Sequence, residues 1–253
     1  MAIPQVFLRP VIIRSILAIS LGASLTPPHV LAQEKVNPVS HFRWWHGLAA
    51  LGGYALLTGV DDTFKEFAQD NRSGTSDGIA KVTREFGQPE VYATIGLGVL
   101  TTGLISGDRK VRNAGLRISG ALAMTGVVVT AAKFAMGRAR PSRGDGDPYD
   151  FRPFSGWTSA PSGHSAMAFA LATSLSDEIQ NPWASAGLFT LASATAWSRV
   201  NDNVHWFSDV VAGAALGIVS AKFMNGRLTI FGIHPPTLRP TRSGITLGWT
   251  GTF

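Results

Sequence analysis

Three short stretches hold residues whose types and spacing could move a phosphoryl group. In the first, Pro161-Ser162-Gly163-His164 leads into an apolar, small-residue run. A proline followed by Ser-Gly predicts a tight turn and then a helix start. Backbone N–H groups at such a start point outward and bind anions. Gly163 lets an anion come close to the backbone, and His164 falls in the first helical turn. The positive helix end disfavours protonation of His164, whereas a bound phosphate favours it. There it could hand a proton to a leaving group.

In the second stretch, Ser198 to Asp209, His205 and Asp209 are four apart. On a helix that spacing puts the carboxylate within reach of one imidazole nitrogen. It would fix the tautomer and leave the other nitrogen free as base or nucleophile. Arg199 adds a planar fork suited to phosphate oxygens. In the third, Lys133 and Arg140 are seven apart, two helical turns, so both face one way until Pro141 stops the helix. Taken singly, these are a basic helix end, a capping turn and a surface ion pair. Together they form a complete set of parts. Lys133, Arg140 and Arg199 supply charge, Ser162 and Gly163 supply donors, His205 attacks and His164 protonates. The sequence shows no cluster of metal ligands and calls for no cofactor.

The patterns K-x6-RP, PSGH and SR-x5-H-x3-D occur in this order over Lys133–Asp209. On them the chain resembles the type 2 phosphatidic acid phosphatase and vanadium haloperoxidase superfamily. The resemblance implies that His205 becomes phosphorylated, His164 protonates the leaving alcohol and Asp209 orients the nucleophile. It makes Lys133, Arg140, Ser162, Gly163 and Arg199 phosphate ligands.

Such groups need rigid elements to hold them. Six apolar stretches are long enough for helices: Trp44–Val60, Val91–Gly107, Ile118–Met136, Ser162–Ser176, Pro182–Val200 and Ser208–Met224. Their many glycines permit close helix–helix contact. The polar connection Asp61–Glu90 has room for one short amphipathic helix around Ile79–Phe86. The fold class expected is all-α, a six-helix bundle over residues 33–225, and the resemblance covers about Trp44–Met224 of it. From 226 to 253 the chain is Pro-rich. Ile245, Leu247, Trp249 and Phe253 alternate as in a strand. One or two strands cannot close a membrane barrel, so a small hairpin packed on the helices is expected there.

The first 32 residues open with Arg9 and Arg14, continue apolar from Ser15 to Leu25, and end in Val30-Leu31-Ala32. That order describes an export signal cut after Ala32, or a retained anchor. A cut would take the net charge from +6 to +4, because two arginines and no acids leave. The 15% of charged residues is low against about 25% in soluble domains, and mean hydropathy is only +0.16. The apolar, charge-free stretches Val91–Gly107 and Pro182–Ser198 have 17 residues each, short of the roughly 20 of a spanning helix. The loop Gly107–Asn113 between the second and third stretches is basic. The location expected is the periplasm or cell envelope, at or in a membrane, with an integral inner-membrane protein as the alternative. A basic balance suits phosphorylated or membrane partners. No nucleic-acid motif accompanies it, and with no cysteine there are no disulfides or thiolate sites.

The leading function is a metal-independent phosphatase acting on a lipid phosphate, of the phosphatidate or isoprenyl diphosphate type. The alternatives are a non-specific acid phosphatase on soluble esters, a vanadate-dependent haloperoxidase, and a non-catalytic phosphate-binding envelope protein. Arg138, Arg143 and Arg152 are explained equally well as surface charges, and Trp206 as packing. Asp145, Asp147 and Asp150 alternate as calcium ligands do but lack the closing glutamate. The oligomeric state is not legible.

Overall fold

Four of the described helix starts are set by side chains that satisfy free backbone N–H groups. Asp108 accepts from Lys110 N and Val111 N, Ser162 from Ser165 N, and Asn181 from Trp183 N and Ala184 N. The computed structural model describes residues 39–143, 146–241 and 244–248. Among these residues there are eight helices: α1 Trp44–Thr58, α2 Asp61–Asp70, α3 Gly74–Glu85, α4 Pro89–Ser106, α5 Arg109–Met136, α6 Gly163–Ile179, α7 Pro182–Asn201 and α8 Phe207–Met224. The chain is helical, and α1 and α4–α8 correspond to the six apolar stretches.

Three local expectations are corrected. The connection after α1 holds two helices, α2 and α3, where one was expected. Ser73 caps α3 by accepting from Ser76 N at 3.2 Å. Next, α5 begins at Arg109, nine residues before Ile118, so the basic stretch expected as a loop is the first turns of α5. Its charges concealed a helix that the Asp108 cap starts. Finally, α5 ends at Gly137, left-handed at φ 55°, and not at Pro141. Arg140 therefore lies in the loop beyond the helix.

The core is built from α4, α5, α6 and α8 around Tyr92, Ile118, Ala121, Leu122, Ala170, Leu171 and Ala221. Two glycines of α8 let α6 lie directly against it. A Cβ on Gly213 would run into the Ser162 carbonyl, and one on Gly217 into the Ala166 carbonyl. The end of α5, the start of α6, the end of α7 and the start of α8 consequently gather at one end of the bundle.

Outside the helices, β1 (Ser40–Phe42) pairs in parallel with β2 (Leu228–Ile230). β3 (Thr237–Thr241) pairs antiparallel with β4 (Gly244–Gly248). The expected hairpin is thus the β3–β4 pair, with Ile245 and Leu247 in β4. Trp249, Phe253 and the proposed signal segment 1–32 lie outside the described residues.

Candidate active site

At the gathered helix ends, His205 sits in the turn before α8 rather than on the helix, as the four-residue spacing had suggested. Asp209 is in the first turn of α8, where its Oδ2 accepts from the Trp206 backbone N at 3.1 Å. This local cap folds the turn back so that the pair still meets: His205 Nδ1 lies 3.6 Å from Asp209 Oδ2. The ring is buried, and Nδ1 has no hydrogen-bond partner.

Asp209 has no exposed surface and its carboxylate is crowded. Oδ2 also accepts from Ser159 Oγ at 2.5 Å. Oδ1 accepts from Arg138 Nη1 at 2.6 Å and Tyr54 Oη at 3.3 Å. The Asp209 carbonyl accepts from Ser162 N at 2.9 Å, which ties the start of α8 to the start of α6. Ser162 is buried as the N-cap of α6, and Gly163 is the first helical residue. A Cβ on Gly163 would meet Lys133 Cε at 3.8 Å and Val129 Cγ1 at 3.9 Å, so Lys133 reaches over the helix start. Lys133 Nζ donates to the Thr158 carbonyl and, at 3.5 Å, to that of Ser159.

His164 is half-buried in the first turn of α6. Its carbonyl accepts from Tyr92 Oη at 3.4 Å, and its ring lies against Gly87, where a Cβ would come within 2.7 Å of Cδ2. Arg199, near the end of α7, is 8% exposed. Its Nη1 pairs with Asp202 Oδ2 at 3.2 Å, while its buried Nε has no partner. Arg140 is exposed, yet its charge is felt at His164, His205, Lys133 and Arg199. All eight residues singled out in the sequence therefore converge, although neither proposed helical pair is carried on one helix.

Charge and burial set the protonation of both rings. Burial pushes His205 down from 6.5 to about 4. The Asp209 carboxylate opposes this, and Lys133 and Arg140 reinforce it. Burial also pushes His164 down to about 4, reinforced by Arg199, His205, Lys133 and Arg140. At neutral pH both are neutral imidazoles facing three cations and a helix N-terminus. An anion placed among them would meet donors on several sides and would raise both histidines.

One sequence expectation changes. Arg138, read as a surface charge, has no exposed surface. It forms ion pairs with Asp61 at 2.7 Å and Asp209 at 2.6 Å. Asp61, Tyr54, Ser159, Ser208 and Gly87 were not singled out at all; none belongs to a spacing pattern, and three come from α1, α2 and the α3–α4 turn. By contrast, Arg143 and Arg152 are exposed, with guanidiniums 4.9 and 4.3 Å from the Trp157 ring. Trp206 is buried, donates from Nε1 to the Ala139 carbonyl at 2.9 Å, and packs under Arg138. Asp147 Oδ1 accepts from Tyr149 N at 2.8 Å, and Asp150 pairs with Arg152 at 3.1 Å; Asp145 lies outside the described residues. Among the described residues no group of three or more His, Asp or Glu is placed to hold a metal ion.

Comparison with known proteins matches residues 114–227 to the PAP2 superfamily, a segment that contains all eight converging residues. A lipid A 1-phosphatase of Porphyromonas gingivalis is 30% identical over 203 residues, covering 79% of this chain and 42% of that protein. The chain thus spans about two fifths of the length of this curated relative. The crystal structure of Aquifex aeolicus LpxE superposes with a TM-score of 0.52 at 25% identity, covering 66% of this chain and 94% of that one. That of a transmembrane PAP2-type phosphatidylglycerolphosphate phosphatase from Bacillus subtilis gives 0.57 at 16% identity, over 71% and 94%; it bears on the fold alone.

Proposed function

We propose, on the premise that residues 114–227 are a PAP2 superfamily domain, that this protein is a phosphatase acting on a lipid phosphate through a phosphohistidine. The observation that carries the reading is the meeting of a buried neutral His205, a buried Asp209 and a second neutral histidine with Lys133, Arg140 and Arg199 at one helix N-terminus.

The chemistry follows from those positions. Lys133, Arg140, Arg199 and the N–H groups at the start of α6 hold the phosphate oxygens. Nε2 of His205 attacks phosphorus, and the P–O bond to the alcohol breaks. His164, protonated once the dianion is bound, gives its proton to the departing oxygen. Water then attacks phosphorus and gives a proton back to His164, the N–P bond breaks, and inorganic phosphate leaves with His205 restored. Asp209 steadies the positive charge that the His205 ring carries between the two steps.

The lipid substrate is supported by the apolar surface. α5 and α8 are long and apolar enough to cross a membrane, and only 28% of the apolar window of α5 is buried by the protein. At 28 residues α5 is about 42 Å long. Trp44, Leu48, Leu51 and Leu56 on α1, Leu97, Leu104 and Ile105 on α4, and Trp183 and Trp197 on α7 are exposed, more apolar surface than a water-facing bundle shows. With the site at one end of the helices, a headgroup phosphate meets it while the acyl chains stay in the bilayer. The lipid A 1-phosphatase to which the chain is similar names one candidate substrate, the 1-phosphate of lipid A.

The test is phosphate release by purified wild type and His205→Ala, with EDTA present. Substrates would be lipid A, phosphatidylglycerolphosphate, phosphatidate, an isoprenyl diphosphate and p-nitrophenyl phosphate. Release from a lipid that disappears in His205→Ala supports the reading. Preference for p-nitrophenyl phosphate would favour a soluble-ester phosphatase, and no release by the folded wild type would refute the phosphatase.

A further inference from the structure

Three charged side chains without exposed surface lie behind the proposed nucleophile: Asp61 at the start of α2, Arg138 in the loop after α5, and Asp209. Arg138 spends every donor group inside the protein. Nε and Nη2 donate to the Pro148 carbonyl at 3.0 and 2.6 Å. Nη2 also donates to Asp61 Oδ2 at 2.7 Å, and Nη1 to Asp209 Oδ1 at 2.6 Å, Ser208 Oγ at 2.7 Å and Tyr54 Oη at 3.0 Å. Asp61 in turn accepts from Ser208 N at 2.8 Å and from Ser208 Oγ at 2.6 Å. It thus grips the residue immediately before Asp209 as well as the guanidinium.

We propose that Arg138 and Asp61 are positioning residues: Asp61 holds the guanidinium, Arg138 occupies Oδ1 of Asp209, and Oδ2 is left turned toward the His205 ring. This rests on the phosphatase reading of His205. The bonding accounts for the orientation, because Oδ1 is taken by Arg138 and Tyr54 on the far side of the carboxylate. It also sets the charge. One arginine between two carboxylates leaves a net charge of −1 shielded from water, and a buried charge needs a partner. The His205 ring supplies that partner when it becomes positive on bonding phosphorus. Its Nδ1, unpartnered at 3.6 Å from Oδ2, then has an acceptor to donate to. Lys133 from α5 and Arg140 from the loop act on both histidines, and Arg199 from α7 acts on His164 of α6, so among the described residues the anions joined to the His205 ring are Asp209 and, through Arg138, Asp61.

The signs of the charges make the proposal testable. Asp61→Asn brings the cluster from −1 to 0, and Arg138→Gln brings it to −2. With the full chain in detergent micelles, the His205 ring is titrated by nitrogen-15 NMR, and kcat and KM are measured on p-nitrophenyl phosphate and phosphatidate. Asp61→Asn should lower the His205 midpoint by about one pH unit, and Arg138→Gln should raise it. Each should cut kcat on the order of tenfold to a hundredfold while KM stays near wild type. Arg138→Lys, which keeps the charge, should restore the midpoint. Midpoints that stay put, or move the same way in both variants, overturn the proposal. If Arg138→Gln does not fold, Asp61→Asn decides alone, and an unmoved midpoint overturns it. Failure of the phosphatase reading looks different: a folded wild type releases no phosphate, while the His205 midpoint still responds to both charges.

Discussion

Lowering the pH should destabilise this protein through His205 in particular. An imidazole in the unfolded chain titrates near 6.5, whereas the buried ring titrates near 4. Between those values the unfolded state binds a proton that the folded state refuses. The folded midpoint lies below the unfolded one, so stability is complete above about pH 6.5 and is lost as pH falls toward 4. At about 1.36 kcal/mol per pH unit, the interval amounts to about 3 kcal/mol, a large part of the 5–15 kcal/mol typical of domain stability. The perturbation is His205→Gln, which keeps a polar side chain of similar reach but does not titrate. The assay is unfolding of wild type and variant in micelles at several pH values from 7.5 to 4.5. A constant offset between the curves reports lost packing and carries no information here; the difference in slope is the quantity of interest. Wild type should lose about 3 kcal/mol more than the variant on acidification. Saturating inorganic phosphate should shrink that excess, because a bound anion lets the ring accept its proton. Parallel curves without phosphate would refute the burial argument.

Other outcomes follow from the same geometry. His164→Ala should slow hydrolysis of alkyl phosphates by about 10²–10⁴, and of p-nitrophenyl phosphate far less, because p-nitrophenolate leaves without a proton; equal losses would contradict the acid role. Gly87→Ala puts a methyl group 2.7 Å from the His164 ring and 2.9 Å from Thr195 Cγ2. It should reproduce the leaving-group pattern of His164→Ala in weaker form, on the order of tenfold, as read from the same two substrates. Arg199→Ala should raise the inhibition constant of inorganic phosphate by about tenfold or more, as loss of charge-assisted hydrogen bonds predicts. Gly217→Ala forces α8 away from the Ala166 carbonyl and should cost about 1–3 kcal/mol or more in thermal or denaturant unfolding.

The sequence yielded what periodicity and motif spacing encode. Apolar runs mark α1 and α4–α8 because those helices are apolar around most of their surface. Lys133, Arg140, Ser162, Gly163, His164, Arg199, His205 and Asp209 stand out because their types fit one chemistry. What stayed hidden has physical reasons. α2 and α3 are polar, short helices; Ser73 caps the start of α3, whereas Val60 gives α2 no side-chain cap. The first turns of α5 carry four basic residues from Arg109 to Arg117 with Lys110 and Arg112 between them, and read as a loop. Arg138 is explained equally well as a surface charge from sequence, because burial of an arginine is decided by partners far away in the chain. Asp61 lies 77 residues before it and Asp209 lies 71 after, and no local pattern announces either.

The two kinds of residue also divide the labour of the site. Those legible in the sequence, Asp209 apart, are the ones the proposed mechanism sets around the phosphate, and their chemistry alone distinguishes them. Those found only in the structure fix distances. Gly213 lets the Ser162 carbonyl lie against α8, and the Ser162 N–H to Asp209 carbonyl bond of 2.9 Å then ties the start of α6 to the helix that carries the aspartate. Asp61 and Arg138 fix the same aspartate from behind. His205 and His164 are thereby held on two helix starts joined at one point. In the proposed mechanism, the approach of nucleophile and acid to opposite sides of one phosphorus therefore rests on backbone contact and a buried ion network.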